Sequence, residues 1–346
     1  AAAKQLRGFE SSTAHHSPLQ HAASWYNPAV LHVCQPGFEP FLAKELNAAS
    51  LGKGPGWVHC ADAAPTELCF AHYSLKDPVE LQGASGRLLA QALTDFFLKT
   101  SRDEKYEAAW PLVIEGSGAL GAGKRAHAAQ ELFIELAKQR MARVVKLAAP
   151  GRPASGPRRG LFAYLTALDT LWASREAVFG GQRRMADDPQ APSRSYLKVE
   201  EAYSVLATAP QAGESVVDLG AAPGGWSYSA AKRGARVLAV DNGPLKGGAL
   251  NHPLISHRAS DAFKQRASQV DWLFCDMVED PDRVLELVGR WIAPGLCRRF
   301  IVNLKYGRLD PLPLMRRARA LESRCSLLRL RHLFHDREEL TLVGQV

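Results

Sequence analysis

A glycine-rich turn between two apolar runs is the part of the sequence best suited to bind a ligand. The segment VVDLGAAPGGW reaches Asp218 within an apolar run and then places Gly220, Gly224 and Gly225 around Pro223. A glycine at the end of a buried strand permits a sharp turn and a close approach of ligand to backbone. The paired glycines open the next helix without side chains in the way. The pattern therefore predicts a strand, a ligand-binding turn and a helix.

The second apolar run, ARVLAVD, ends in Asp241 about twenty residues beyond the first, where an acid can accept hydrogen bonds from ribose hydroxyls. This arrangement fits NAD or S-adenosylmethionine. Two features separate these ligands: Pro223 stiffens the turn, and the third glycine that a pyrophosphate-binding helix normally uses is missing. The turn therefore favours a nucleoside ligand without a pyrophosphate.

An earlier glycine cluster, GSGALGAGKR (residues 116–125), satisfies two nucleotide-binding patterns by spacing alone. A P-loop requires a Ser or Thr hydroxyl after Lys124, and Arg125 stands there instead. A dinucleotide fold requires a second buried strand with a terminal acid, and the chain continues with a helical pattern from Gln130 to Leu147. We therefore predict a flexible glycine loop here and no phosphate site.

Composition limits the classes of protein to consider. The chain has 346 residues, 46% hydrophobic and 23% charged, which is ordinary for a soluble protein with room for two domains. No apolar run approaches the ~20 residues that span a bilayer, so we expect no membrane association. Six scattered cysteines without a C-x-x-C pair indicate a reducing, cytoplasmic setting with no disulfide and no metal site. The net charge of +8, with many arginines between Leu296 and Arg331, suits a polyanionic partner.

The patterns divide the chain into four segments. Residues 1–27 are an extension without periodicity, which could be flexible, a trimmed end or the remains of a targeting segment. Residues 28–180 mix strand-like and helical runs and predict an α+β region. Residues 181–195 are rich in Gly, Pro and charge and predict a linker. Residues 196–346 alternate short apolar runs with helical stretches, which predicts a doubly wound α/β sheet whose last strand can run antiparallel as part of a hairpin.

The turn and several other segments resemble a known family. DLGAAPGGW resembles motif I of the FtsJ-type RNA 2′-O-methyltransferases, D-x-G-x-x-P-G-G-[FW]. CQPGFE, APSRSYLKVEEAY, VDNGP, CDMVEDP, NLK and HDREE resemble the branch of ribosomal RNA large-subunit methyltransferase M. The resemblance covers residues 192–342 and, before them, the short stretch from Cys34 to Glu39.

This resemblance implies a fold and an activity. The fold is a Rossmann-like S-adenosylmethionine-dependent methyltransferase domain preceded by an α+β ferredoxin-like and THUMP-type RNA-binding domain. The reaction is 2′-O-methylation of a ribose, that of a cytidine in the peptidyl-transferase region of 23S-type ribosomal RNA. The resemblance further implies S-adenosylhomocysteine as the product, a large-subunit RNA met before full assembly as the partner, and a monomeric enzyme.

The resemblance also implies a catalytic tetrad of Lys198, Asp276, Lys305 and Glu339, with Glu338 as the weaker alternative for the last acid. A ribose hydroxyl must lose its proton to become a good nucleophile, and we assign Lys305 as the base. A lysine can act as a base only if its pKa falls toward neutrality, through burial or a second cation. We expect Lys198 beside Lys305 to provide this effect, with both acids orienting and tuning the lysines.

The family pattern assigns a larger set of residues to the cofactor. Asp241 would bind the ribose and Asp261 would lie near the adenine, although an Asp at this point could simply cap the following helix. For Trp226, packing is favoured over stacking on the adenine. The expected cofactor-binding set is Ser195, Asp218, Gly220, Ala222, Pro223, Gly224, Gly225, Trp226, Asp241, Asp261 and Asp276.

Two other functions fit parts of the sequence. A non-catalytic RNA-binding or ribosome-assembly factor could keep the fold, but the intact tetrad argues against lost turnover. A small-molecule methyltransferase could share motif I, but such enzymes rarely need two lysines and a basic surface. The sequence therefore favours an RNA methyltransferase over both.

Overall fold

The computed structural model describes residues 29–61 and 67–346 as two β-sheets with helices against them. The predicted extension at residues 1–27 lies outside the described residues. Within the described residues, no helix is both long enough and apolar enough to cross a lipid bilayer.

In the part of the chain that the structure describes, the N-terminal sheet has nine strands in the order β2-β3-β1-β4-β9-β8-β6-β7, and β5 also pairs with β9. All of its pairings are antiparallel except those of β6 with β7 and β8. This mixed sheet with its helices confirms the predicted α+β region. The strands are β1 Ala29–Val33, β2 Ser50–Gly54, β3 Trp57–Ala61, β4 Tyr73–Lys76, β5 Val79–Gln82, β6 Trp110–Gly116, β7 Ala148–Pro150, β8 Gly156–Leu165 and β9 Thr170–Phe179. The helices are α1 Glu39–Leu46, α2 Gly86–Thr100 and α3 Ala122–Val145.

The glycine cluster adopts a more regular structure than the predicted loop. Gly118–Leu120 form a 3₁₀ turn, and α3 begins at Ala122, earlier than its predicted start at Gln130. Gly121 has φ of +65°, the left-handed conformation that lets the chain turn from one helix type into the other. The buried small residues of α3 include Ala122, Ala126 and Ala129, which bring the helix close to the sheet and extend it over the cluster.

The segment predicted as a linker, residues 181–195, contains no helix or strand. The C-terminal sheet that follows has the order β12-β11-β10-β13-β14-β16-β15. Its strands are β10 Ser215–Leu219, β11 Arg236–Val240, β12 Ile255–Arg258, β13 Val270–Cys275, β14 Cys297–Lys305, β15 Leu327–Arg331 and β16 Glu339–Gln345. Its helices are α4 Tyr196–Leu206, α5 Gly225–Ala231, α6 Pro281–Ile292 and α7 Pro311–Arg319.

This sheet confirms the predicted Rossmann-like architecture. The pairs among β10 to β14 are parallel, and β16 runs antiparallel to both β14 and β15. The central strands are buried on both faces, which explains their continuous apolar sequences. The carboxyl ends of parallel strands lie at the same edge of the sheet. The residues that follow β10, β11 and β13 therefore lie close together at that edge.

The two regions pack against each other beside the β15–β16 connection. The backbone N–H of His332 donates to the carbonyl of Cys69 at 2.9 Å, and the His332 ring lies 3.9 Å from that of Phe38. Arg331 forms an ion pair with Glu67. One hydrophobic cluster contains residues of both regions, such as Phe70 and Leu340. The N-terminal sheet is therefore fixed next to the loop that leads into β16.

Candidate active site

The turn after β10 has the sharp geometry that its sequence predicts. Gly220 has φ of +75° and Gly224 has φ of +103°, conformations that disfavour any other residue. A Cβ on Gly220 would collide with Met277, and one on Gly224 would collide with Ala249. Helix α5 starts directly after this turn, at Gly225.

A cavity of about 440 Å³ opens beside this turn, and we call it the elbow cavity. Asp241 lies in its wall and accepts hydrogen bonds from the backbone N–H groups of Ala222 at 3.0 Å and Gly243 at 2.7 Å. These two bonds fix the carboxylate at the edge of the sheet. The lining includes Gly220, Ala222, Asp241, Asp261, Phe263, Asp276, Met277 and Val278.

The residues of the elbow cavity fit an adenosine-like group that carries a positive charge. Asp261 accepts a hydrogen bond from the Phe263 N–H at 2.9 Å, so it caps a 3₁₀ turn and lines the cavity as well. Phe263 and Val278 add apolar surface, and the Val278 side chain is 89% exposed at the rim. Carboxylates suit ribose hydroxyls, apolar surface suits a base, and Asp276 suits a cation.

The structure brings the four predicted tetrad residues together at the same sheet edge. Lys305 at the end of β14 is paired in register with Glu339 at the start of β16, Asp276 follows β13, and Lys198 lies in the first turn of α4. Lys305 Nζ donates to Asp276 Oδ1 at 2.6 Å and to the Asp276 and Met277 carbonyls at 3.2 and 3.1 Å. Lys198 forms an ion pair with Glu339. Each lysine therefore has its own carboxylate.

Asn303 connects the two ion pairs, and it belongs to none of the predicted site residues. Its Nδ2 donates to Asp276 Oδ1 at 3.2 Å and to Glu339 Oε2 at 3.1 Å. The side chain is fully buried, and it lies two residues before Lys305, on the same face of β14. An amide inside the otherwise apolar run FIVNLK was the signal that could have revealed it, because a buried amide needs partners.

Lys198 carries a stable positive charge in this network. Burial lowers the pKa of Lys198, but the Asp276 and Glu339 carboxylates outweigh burial, and the pKa lies above its ordinary value. Lys198 is therefore a fixed cation. Glu339 is buried in this contact, whereas Glu338 is exposed and uses its carbonyl to accept the N–H groups of Tyr306 and Gly307. The geometry thus favours Glu339 over Glu338.

A second cavity of about 440 Å³ lies on the Lys198 side of the network, and we call it the lysine cavity. Ser195 lines this cavity and not the elbow cavity, and its hydroxyl lies 2.9 Å from that of Ser193. The lining includes Gln35, Arg194, Ser195, Lys198, Phe334, Arg337 and Glu339. Two cavities thus flank one network of charged groups.

Besides Ser195, five of the predicted cofactor-binding residues do not line the elbow cavity. Asp218 is 1% exposed and accepts a hydrogen bond from Ser227 Oγ at 2.6 Å, and burial raises its pKa to about 7. Trp226 is buried, packs edge-on against Phe274 and donates to the Ser195 carbonyl at 2.9 Å. Pro223, Gly224 and Gly225 shape the turn and are absent from the cavity wall. Asp218 and Trp226 therefore pack under the turn, and the assignment of these five residues to the cofactor stays a prediction.

Comparison with known proteins identifies the family. The model of the FtsJ-like methyltransferase family matches residues 191–293. Ribosomal RNA large subunit methyltransferase M of Thauera aminoaromatica is 32% identical over 370 aligned residues, which cover 94% of this chain and 97% of that protein. The chain belongs to the ribosomal RNA large subunit methyltransferase M family. The protein of the same name from Xanthomonas oryzae pv. oryzae is also 32% identical and covers 91% of the chain, and that from Methylococcus capsulatus is 45% identical over 44% of it.

Membership of this family confirms the resemblance found in the sequence. It makes the chain an enzyme of the S-adenosylmethionine-dependent FtsJ-like methyltransferases. The alignment with the Thauera aminoaromatica protein covers 94% of the chain and so includes both sheets. The N-terminal region is therefore part of the family's architecture.

Proposed function

We propose that this methyltransferase transfers the methyl group of S-adenosylmethionine to the 2′-hydroxyl of a ribose, that of a cytidine in large-subunit ribosomal RNA. One observation carries the proposal: a network of two lysines, two carboxylates and an amide separates a nucleoside-sized cavity from a basic cavity. Such a network can bind a cation on one side and deprotonate a hydroxyl on the other.

Gly220, Ala222, Asp241, Asp261 and Asp276 would hold the cofactor in the elbow cavity. Bound S-adenosylmethionine supplies a methyl group on a cationic sulfur. The turn brings backbone, and not side chains, next to this ligand. Asp241 is fixed by two backbone N–H groups and so presents its remaining lone pairs to the ribose.

Lys305 would take the proton of the 2′-hydroxyl while the oxygen forms its bond to the methyl carbon and the carbon–sulfur bond breaks. In the ion pair Asp276 stabilises the Lys305 ammonium. Holding oxygen and methyl carbon about 3–3.5 Å apart in line supplies much of the acceleration.

Lys198 and Glu339 would position the ribose in the lysine cavity, because they line it and are locked to each other. Asn303 keeps Asp276 and Glu339 at a fixed separation. Arg194 and Arg337 at the rim suit phosphates. The two lysines, the two carboxylates and the Asn303 amide would thus together bind and orient the ribose and remove its proton.

The choice of RNA rests on charge and on family. The net charge of +8 and the basic lysine cavity suit a polyanion, and the relatives carry large-subunit ribosomal RNA in their names. We propose the N-terminal region as a THUMP-type RNA-binding module. A cytidine in the peptidyl-transferase region, reached before full assembly, follows from the resemblance, and we propose that the enzyme is monomeric and cytoplasmic.

The test is to incubate the protein with labelled S-adenosylmethionine and an unmodified large-subunit ribosomal RNA transcript. A 2′-O-methyl group blocks alkaline cleavage of the adjacent phosphodiester, so hydrolysis ladders locate it. We expect a single protected cytidine. Label on a base, or label found only on a metabolite in a parallel screen, would contradict the proposal.

A further inference from the structure

A third cavity of about 670 Å³ opens toward the N-terminal sheet, and we call it the glycine-segment cavity. Gly116, Gly118 and Gly123 contribute to its wall, so the cluster that matched nucleotide patterns lines a real space. Gln35 and Phe334 line both this cavity and the lysine cavity. The two cavities are therefore neighbours, separated by these side chains.

Polar groups without partners line the glycine-segment cavity. His72 is 2% exposed, and burial, with Arg152 nearby, lowers its pKa well below the usual value, so the ring is neutral. Arg152 Nη1 lies 3.5 Å from His72 Nδ1, which leaves the proton on Nε2. Neither His72 Nε2 nor Gln35 Oε1 has a hydrogen-bond partner within residues 29–61 and 67–346. One buried donor and one buried acceptor in residues that line this cavity are thus unpaired.

Arg152 supplies a rigid planar cation in the same wall. Its Nε and Nη2 donate to the two carboxylate oxygens of Glu115 at 2.8 and 2.7 Å, and its Nη1 donates to the Gln182 carbonyl at 3.0 Å. The guanidinium also lies 5.2 Å from the centre of the Tyr73 ring. A guanidinium held in this way loses no freedom when a base stacks on it.

Exposed arginines continue from this cavity into the lysine cavity. Arg184 lines the first and Arg337 the second, and both lack a carboxylate partner among the ion pairs of the described residues. Phe334, 37% exposed, lies between the cavities as an aromatic surface. Aromatic and arginine surfaces beside unpaired cations are the features that bind unstacked nucleotides.

We propose that the glycine-segment cavity binds one unstacked nucleotide of the RNA next to the methylated one, with its base inside and its phosphate at Arg184. This inference rests on the proposed function. A volume of 670 Å³ lies within the range of small-ligand pockets and suits a single nucleoside. The shared wall lets consecutive nucleotides occupy the two cavities, so the cavity would help to hold the target ribose in place.

Filling the cavity tests the proposal with a matched control. A Cβ at Gly123 meets no atom within 4 Å, and the same holds for Gly289 in α6, outside all three cavities. Leucine favours both helices, so Gly123→Leu and Gly289→Leu should fold. With the ribosomal RNA transcript, we expect Gly123→Leu to raise the KM for RNA about 10-fold and to leave the Kd of S-adenosylmethionine unchanged. Gly289→Leu should match the wild type.

Charge removal gives a second, independent variant. Arg184→Ala should reduce the salt dependence of RNA binding by about one unit of log Kd per log salt, as expected for one lost phosphate contact. The control is Arg236→Ala at the amino end of β11, the edge of the sheet opposite the site. Equal slopes for the two variants would contradict the phosphate contact.

A fluorescent base locates the nucleotide directly. In RNA fragments with 2-aminopurine at one position at a time, we expect the wild type to change the fluorescence at one position adjacent to the target and Gly123→Leu to abolish that change. If the wild type methylates the transcript but Gly123→Leu and Gly289→Leu have equal KM values, the subsite is refuted and the proposed function stands. If the wild type methylates no RNA, both fail.

Discussion

Replacing Asp218 with Asn should make the protein respond differently to pH. Asp218 is fully buried beneath the turn, and burial raises its pKa to about 7, with the Asp276 and Asp241 charges acting in the same direction. In the unfolded chain an Asp titrates near 4. Between these values the folded protein keeps a proton that the unfolded chain has lost. Stability therefore falls as the pH rises from about 4 to about 7 and then levels off.

The size of the effect follows from the width of that window. From pH 5 to pH 7 the folded state binds about one more proton, and each pH unit contributes about 1.4 kcal/mol. Asn cannot ionise, and its carbonyl can still accept the Ser227 hydroxyl. The free energy of unfolding of Asp218→Asn, relative to the wild type, should therefore rise by about 3 kcal/mol between pH 5 and pH 8.

Urea denaturation of the wild type and Asp218→Asn at both pH values measures this difference. The control is Asp271→Asn on β13. The Ser215 backbone N–H and then its hydroxyl and Arg298 lower the pKa of Asp271, so both folded and unfolded states are ionised above pH 5. Its effect on unfolding should not change between pH 5 and pH 8. An equally constant effect for Asp218→Asn would refute the assignment of a protonated Asp218.

Three further substitutions test the site. Asn303→Ala removes the amide between Asp276 and Glu339, and single-turnover methylation should slow by up to about 10²-fold while cofactor affinity stays the same; an unchanged rate would remove Asn303 from the account. Asp241→Ala should weaken cofactor binding in calorimetry about 10- to 100-fold, with RNA affinity unaffected. Glu201→Gln replaces a buried acceptor of three backbone N–H groups, two of them in the loop before β16, and should lower the free energy of unfolding by about 2–3 kcal/mol; a stability equal to that of the wild type would contradict this role.

The sequence predicted those parts of the fold that depend on local pattern. The apolar runs of β10, β11, β13 and β14 are continuous because both faces are buried, and the final hairpin is close in sequence, so its antiparallel strand could be foreseen. The tetrad was placed by the resemblance to the family, and its agreement with predicted strand ends at Asp276, Lys305 and Glu339 supported that placement.

The pairing inside the site could not be predicted, because it depends on strand register. In the pairing of β14 with β16, Lys305 lies opposite Glu339, yet its side chain bonds to Asp276. Asn303 connects the two acids, and only the folded arrangement shows this. The directions of the Asp218 and Trp226 side chains could not be predicted either, because Asp218 near the end of β10 and Trp226 at the start of α5 can each point toward the ligand or into the packing beneath the turn. The glycine cluster was misjudged because its glycines lie at a helix start, where small residues permit close packing.

The most direct test of the account is the role of the amine at position 305. Lys305→Met keeps the aliphatic chain and removes the group that would take the proton. Single-turnover transfer from labelled S-adenosylmethionine to the ribosomal RNA transcript should become undetectable, while the Kd values for cofactor and RNA stay within a few-fold of the wild type. Lys264→Met, on the exposed 3₁₀ turn near the elbow cavity, should transfer normally. A methylation rate for Lys305→Met close to that of the wild type would contradict the proposed mechanism.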